Sequence, residues 1–480
     1  MYTTKDANTY IDQTKNTVKP THRHHFHLMG ACGWINDPNG FSHFRGRYHL
    51  FFQHYPYKSE WGPMHWGHAS SEDMIRWEHH PVALAPDKPY DKSGCFSGSA
   101  LAIEDTLYLM YTGHKEDTSI EQVQCIAKSK DGIAFEKHTD NPVIDQSMLP
   151  EHAEKEDFRD PKILRRNGVY YSLIGSRNTD GSGQLLLYES KNLIDWTYHS
   201  APFKSNNTLG SMWECPDMVT LSGKDIVLFS PQFMDRKKHR FTNVHASVYA
   251  PGKMDFAQGR FTPDYIEELD KGFDFYAPQT MTSPDGRTLL VAWMQMWDDP
   301  IPSAKDGWAG AMTLPRELTY ENDHLYQTPI EELKNYRTDY TGFTDKELED
   351  KTTFEGVKGD TFDLELALTF KEAKRFTMKL RKNADHETAL HYDVATQRFR
   401  FDRDRSGSGP GGQKEFPLPL ENGRLKLRIV SDKSSIEIFF QGGRYVLTST
   451  LYPSEDATAI EFNSVGPTTI ERLNYYNISV

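Results

Sequence analysis

A seven-residue pattern recurs three times in the first half of the chain at nearly constant spacing. Ser71-Glu72-Asp73-Met74-Ile75-Arg76-Trp77, Ser129-Lys130-Asp131-Gly132-Ile133-Ala134-Phe135 and Ser190-Lys191-Asn192-Leu193-Ile194-Asp195-Trp196 place Ser, Asp or Asn, Ile and an aromatic at the same offsets, 58 and 61 residues apart. A second pattern is interleaved with the first. Polar turns at Arg45-Gly46-Arg47, Glu104-Asp105-Thr106 and Arg166-Asn167-Gly168 each run into a β-branched or aromatic stretch, with weaker copies at Ser222-Gly223-Lys224 and Asp285-Gly286-Arg287. A polar turn feeding such a stretch reads as a hairpin. Five copies at this spacing, filled with strand patterns and few helical ones, predict an all-β architecture: a five-bladed β-propeller with four strands per blade around a central axis.

That architecture gives meaning to three acids that stand far apart in the chain. Asp37 lies in Gly33-Trp34-Ile35-Asn36-Asp37-Pro38-Asn39-Gly40, Asp160 in Phe158-Arg159-Asp160-Pro161-Lys162, and Glu214 in Trp213-Glu214-Cys215-Pro216-Asp217. Taken alone, Asn-Asp-Pro-Asn-Gly is an ordinary capped turn. The three acids, however, precede the turns at Arg45, Arg166 and Ser222 by 8, 6 and 8 residues, so they sit at nearly the same place in three repeat units. The innermost strands of propeller blades border one axial channel, and equivalent positions therefore meet at its mouth. Such a trio suits glycosidic cleavage, in which one carboxylate attacks the anomeric carbon, one carboxylic acid protonates the leaving oxygen, and a third holds sugar hydroxyls.

At these residues the chain resembles glycoside hydrolase family 32, the β-fructofuranosidases. The resemblance extends to Phe51-Phe52-Gln53, Trp66-Gly67-His68-Ala69, Asp73 to Trp77, Phe96-Ser97-Gly98-Ser99-Ala100 and Phe275-Tyr276-Ala277-Pro278-Gln279, in family order from about His22 to Arg316. It implies that Asp37 is the nucleophile, Glu214 the general acid/base and Asp160 the transition-state stabiliser. Asn36, Gln53, Trp61, Phe96, Ser97, Arg159, Tyr276 and Trp293 are then expected to bind substrate, with Trp34 a further sugar platform and Asn39 ordering the pocket. The implied reaction is retaining hydrolysis of terminal β-D-fructofuranosides such as sucrose or sucrose 6-phosphate, Asp37 being charged in the free enzyme while Glu214 keeps a proton. A fructosyltransferase, a fructan hydrolase and a silent carbohydrate-binding protein are the alternatives. The stretch from Ala7 to His27 is similar to cytoplasmic bacterial members acting on sucrose 6-phosphate.

Composition narrows the rest. A formal charge of -13 without a basic run disfavours nucleic acid as a partner. Met1 to Lys19 is polar and lacks the apolar centre of a secretion signal, and no stretch is long and apolar enough to cross a membrane, so a cytoplasmic location is expected. Cys32, Cys95, Cys125 and Cys215 show no framework spacing and read as reduced thiols. His22, His24, His25 and His27 cluster, but no nearby Cys or carboxylate completes a coordination sphere, so neither a metal nor any cofactor is expected. Cys215 has no activating His and is expected to pack beneath the acid. Trp77 and Trp196, at equivalent repeat positions, are expected in the core, and Arg159 and Asp217 are expected to hold other groups in place. The chain divides on this reading into an arm over 1–21, the propeller over 22–330, a charged linker over 331–350 and a β-sandwich over 351–480. For the sandwich, a packing or oligomer-forming role, including a homo-oligomer, is the plainer expectation beside a lectin-like one.

Overall fold

The computed structural model describes all residues except 118, 238 and 349. Five antiparallel sheets form the propeller, with innermost strands Gly33–Phe44, Gly94–Ile103, Ala153–Arg166, Met212–Leu221 and Tyr276–Thr282. These five strands touch in sequence around the axis, the fifth against the first. The ring is stitched shut by the segment between the second and third strands of the last blade. Trp308–Ala309 adds in parallel to Gly33–Trp34, and Met29 bridges Ala311.

The two sequence repeats are the turns that make each blade. The Ser-x-Asp/Asn copies join the third strand to the fourth. Ser71, Ser129 and Ser190 accept through Oγ from the backbone N–H of Met74, Gly132 and Leu193, and Asp73, Asp131 and Asn192 accept from the amides two and three residues further on. These side chains satisfy amides that the turning backbone cannot pair with itself, which is why the pattern recurs. The interleaved copies lie between the first strand and the second, as two-residue hairpins in the first four blades and a longer turn in the fifth. Arg45-Gly46, Asn167-Gly168 and Ser222-Gly223 all have positive φ, the primed turn geometry that matches strand twist.

The sandwich packs a six-stranded sheet on a five-stranded one around Phe362, Leu364, Phe376, Phe399, Ile438 and Phe462. The linker expected over 331–350 is not one. Glu331–Tyr336 is a 3-10 turn, and Arg337–Leu348 is the edge strand of the six-stranded sheet, paired along its length with Thr468–Ile478. Nearly every residue of that strand faces solvent, so it carries no apolar alternation and reads as a charged loop. The arm expected over 1–21 contains the helix Thr4–Thr14, capped by Thr3, whose hydroxyl accepts from the Asp6 amide.

Propeller and sandwich share one core, in which Phe26, Leu28, Leu314 and Leu333 pack with Val430, Phe439 and Val446. Beside it lies a buried ionic network. Asp432 of the sandwich accepts from His27 Nδ1 at 2.8 Å and from the backbone of His25 and Phe26, while Glu437 faces His27 Nε2 at 2.9 Å and Arg316 Nη2 at 2.5 Å. The histidine cluster therefore meets carboxylates after all, supplied by strands some 400 residues away. Asp432 also lies 3.6 Å from His24 Nδ1, so three ligand atoms converge. Both ring nitrogens of His27 already face carboxylate oxygens, however, and a doubly donating imidazolium cannot also ligate a cation.

Candidate active site

Every innermost strand carries an irregularity at the same depth. Pairing registers shift between Ile35 and Pro38, between Phe96 and Gly98, opposite Arg159 to Lys162, between Glu214 and Asp217, and between Tyr276 and Gln279. A bulge inserts an extra residue and re-aims its neighbours. Four of the five are Pro bulges, at Pro38, Pro161, Pro216 and Pro278, and a proline has no N–H to lose from the ladder. Asp160, Cys215 and Ala277, each just before its proline, have positive φ. Such backbone is strained for these residue types and is typical of sites where direction matters more than stability.

The bulges build two rings around the axis. One ring is Asp37, Ser97, Asp160, Cys215 and Ala277; the other, one residue earlier in each strand, is Asn36, Phe96, Arg159, Glu214 and Tyr276. Asp37 and Asp160 are thus strictly equivalent and Glu214 is offset by one.

All three acids line one cavity of about 370 Å³, together with Asn36, Gln53, Trp61, Phe96, Ser97 and Arg159. Ser97 Oγ donates to Asp37 Oδ2 at 2.6 Å, and Asp37 Oδ1 is buried without a hydrogen-bond partner among the described residues. Asp160 Oδ2 accepts from the Cys215 amide at 3.0 Å, and the Cys215 thiol lies 3.5 Å from both Asp37 Oδ2 and Asp160 Oδ2. Burial and these carboxylates push that thiol well up, so it donates and is no thiolate nucleophile. Glu214 is held from two sides. Arg159 Nε and Nη2 reach its Oε1 at 3.0 and 2.9 Å, and the Tyr276 hydroxyl donates to Oε2 at 2.6 Å.

Burial, and then the negative Glu214, push Asp37 up, and the same causes raise Asp160 to about 7 with Arg159 opposing. Burial and the neighbouring carboxylates therefore favour a proton on Asp160 and on Asp37. Asp37 and Asp160, both buried and facing one thiol, cannot both ionise freely.

Two expected substrate contacts are misplaced. Trp293 is fully buried behind Trp34 and Trp297, with ring centroids 5.8 and 4.9 Å away, and it is Trp297 that reaches the cavity. Tyr276 is also fully buried and acts behind Glu214. Trp61, 46% exposed, stands at the mouth with its edge towards Phe96, and Phe96 stacks on His114 at 4.1 Å. Trp34 donates from Nε1 to Asn36 Oδ1, and Asn39 accepts from the Gly98 amide, so both shape the wall from behind. Asp217 turns away from the cavity to bind Lys162 Nζ and the Thr280 amide, which ties three blades together. Trp196 is buried as expected, while Trp77 is only partly so. Missed by sequence were His114, Gln122, Glu156, Asp157, Gln232 and Trp297. Gln122 lies on the third strand of its blade, counted from the axis, and carries no local signature, whereas Asp157, two residues before Arg159 and 2.6 Å from its Nη1, was open to a reading of that motif's flank.

Comparison with known proteins bears on this site. Residues 27–329 match the glycosyl hydrolases family 32 N-terminal domain and residues 330–477 the glycosyl hydrolases family 32 C-terminal domain. Among curated relatives, a sucrose-6-phosphate hydrolase of Escherichia coli is 37% identical over 92% of this chain and 91% of its own length, and a raffinose invertase of Escherichia coli is 38% identical over 90% of each. Among solved structures, a Bombyx mori GH32 beta-fructofuranosidase in complex with sucrose superposes with a TM-score of 0.86 at 34% identity, covering 99% of this chain and 98% of that one. The sucrose-6-phosphate hydrolase of Lactobacillus gasseri gives a TM-score of 0.88 at 28% identity, over 100% and 99%.

Proposed function

This chain belongs to glycosyl hydrolases family 32, and from that membership we propose a division of labour among its acids. The enzyme hydrolyses terminal β-D-fructofuranosides. Asp37 attacks the anomeric carbon and forms a fructosyl ester as the bond to the leaving sugar breaks; Glu214 gives its proton to the departing oxygen. Glu214 then takes a proton from water, whose oxygen displaces Asp37 with a second inversion, so configuration is retained. Asp160 binds fructosyl hydroxyls. As those hydroxyls donate to it, the charged form of Asp160 is favoured.

The observation that carries this reading is that Asp37, whose Oδ1 has no hydrogen-bond partner among the described residues, and an arginine-held Glu214 line the same cavity. The test is sucrose hydrolysis followed by NMR. β-Fructofuranose as the first product supports double displacement, and α-fructofuranose as the first product rejects it. Transfer to a sugar acceptor or cleavage of fructans shares the first half-reaction, and product analysis at high sucrose separates them. The substrates proposed are sucrose and sucrose 6-phosphate, the latter after the relatives' names. A reducing compartment such as the cytoplasm is supported by four cysteines that form no disulfide. The exposed edge strand Arg337–Leu348 is where a second copy would pair, and sedimentation velocity decides whether one does.

A further inference from the structure

A second cavity, of about 530 Å³, opens beside the active site between propeller and sandwich. Two chain segments run from one cavity into the other. Gln232 and Trp297 line the catalytic pocket, while Arg236 and Asp298, a few residues on, line its neighbour. His245 fills the partition, with its ring 6.2 Å from that of Tyr276 and 5.2 Å from that of Phe233.

The chemistry of the second cavity is cationic in an unusual way. Lys414 comes from the sandwich and is only 6% exposed, yet no carboxylate lies within ion-pair distance of it among the described residues. Its ammonium donates to Thr242 Oγ1 at 2.6 Å and to Asn243 Oδ1, and lies 4.7 Å from the centre of the Phe273 ring. Burial pulls it down to about 8, with Arg403 and Arg236 adding to the pull and Glu268 and Asp274 opposing it. Arg236 and Lys237, both exposed, add two further cations at the rim. The acids nearby are mostly engaged: Asp299 is bound by Arg403 Nη2 at 2.7 Å and Glu415 by Arg398 Nε at 2.7 Å, while Asp298 lies 3.9 Å from His245. A buried ammonium without a counter-ion is costly unless an anion joins it.

The leaving group of the proposed reaction must lie against Glu214, which protonates it. The catalytic pocket is lined by Glu156 and by Asp157, which is paired with Arg159 and Arg177, while beyond Gln232 the chain leads to Arg236, which lines the neighbouring cavity with Lys414. A phosphate dianion on the leaving sugar is attracted by the cations of that neighbouring cavity. We propose that the cavity formed by Arg236, Lys237 and Lys414 binds the phosphate of a phosphorylated leaving group, and that these residues select sucrose 6-phosphate over sucrose. This rests on the β-fructofuranosidase reading of the adjoining pocket.

The test compares kcat/KM for sucrose 6-phosphate and for sucrose in the wild type, Lys414→Met and Arg236→Gln. Arg236 is exposed, so its variant reports even if the buried Lys414 change impairs folding. Each lost charged contact is expected to lower the sucrose 6-phosphate to sucrose ratio about 10- to 100-fold, mainly through KM. The wild-type preference should also weaken with added salt. Calorimetry with Asp37→Asn, which leaves substrate intact, reads binding independently: the phosphorylated sugar should bind more tightly than sucrose, and the two changes, added in turn, should abolish the difference. A wild type with no preference, or variants in which both substrates fall together, overturns the phosphate site. Failure to hydrolyse either sugar, with the binding difference intact, instead rejects the hydrolase reading.

Discussion

Replacing His27 by Gln should loosen the joint between propeller and sandwich by an amount that depends on pH. His27 is fully buried and both its ring nitrogens face carboxylate oxygens, at 2.8 Å for Asp432 and 2.9 Å for Glu437. Burial alone would disfavour its charge, but the hydrogen bonds and fields of those two acids overcome burial and raise it to about 9 from 6.5. A rise of that size is linked to about 3 kcal/mol of stability. Because the folded value lies above the unfolded one, this contribution is fully present below about pH 6.5 and is lost as pH climbs through about 9. Asp432 is held well below the usual carboxylate range and Glu437 near about 2, by His27, His24 and Arg316. Their contributions are present above about pH 4 and lost only in acid, so they stay constant across the window in which His27 titrates.

The variant should therefore be less stable than wild type by about 3 kcal/mol near pH 6, with the gap narrowing towards pH 9.5. Urea unfolding of both proteins at a series of pH values, followed by tryptophan fluorescence, reads it directly. A penalty that is the same at pH 6 and pH 9.5 would refute the imidazolium bridge and leave a packing contact in its place.

Three further outcomes follow from the site. Asp37→Asn should reduce hydrolysis by several orders of magnitude for every fructoside, since no other group can form the ester, whereas Glu214→Gln should be severe on sucrose and milder in the first step on a fructoside whose leaving group departs without protonation; stopped-flow comparison of the two substrate types checks this. The acid limb of the kcat/KM profile should lie near pH 7, where the raised Asp160 loses its charge as pH falls, and Asp160→Asn should flatten that limb while lowering the rate at its plateau. Activity and unfolding midpoint should both survive EDTA, because protonated His27 competes with any cation for Asp432; a loss that added metal restores would show that His24, His27 and Asp432 do hold one.

What sequence could show about this fold is set by how local the determining interactions are. The blade turns were legible because each is a closed local device, in which a Ser and an Asp or Asn satisfy amides two or three residues away. Sheet edges and domain joints were not. Arg337–Leu348 earns its strand conformation from pairing with Thr468–Ile478 rather than from burial, and the partners of His27 lie 405 and 410 residues distant. The tryptophans failed for a related reason. Trp293 ends a strand and faces inward, and the four-residue step to Trp297 leads out of the sheet into the cavity wall. Nothing in the side chains distinguishes the two; only the backbone path does.

The acids lie between these extremes, and the bulges explain why. A regular strand alternates its side chains, so adjacent residues such as Glu214 and Cys215 would point to opposite faces of the blade. The shifted register lets both serve the axis, Glu214 from one ring and Cys215 from the other. Pro216 makes that shift compatible with the ladder, and the same holds at Pro38, Pro161 and Pro278. The acid-proline pairs in the sequence are therefore signs of where pairing breaks, not of turns that cap hairpins. The fold repeats the break five times, and the blades differ by what occupies it: Asp37, the proposed nucleophile; Ser97, which donates to Asp37; Asp160, proposed to bind hydroxyls; Cys215, whose thiol lies between the two carboxylates; and Ala277, next to the Tyr276 that holds Glu214.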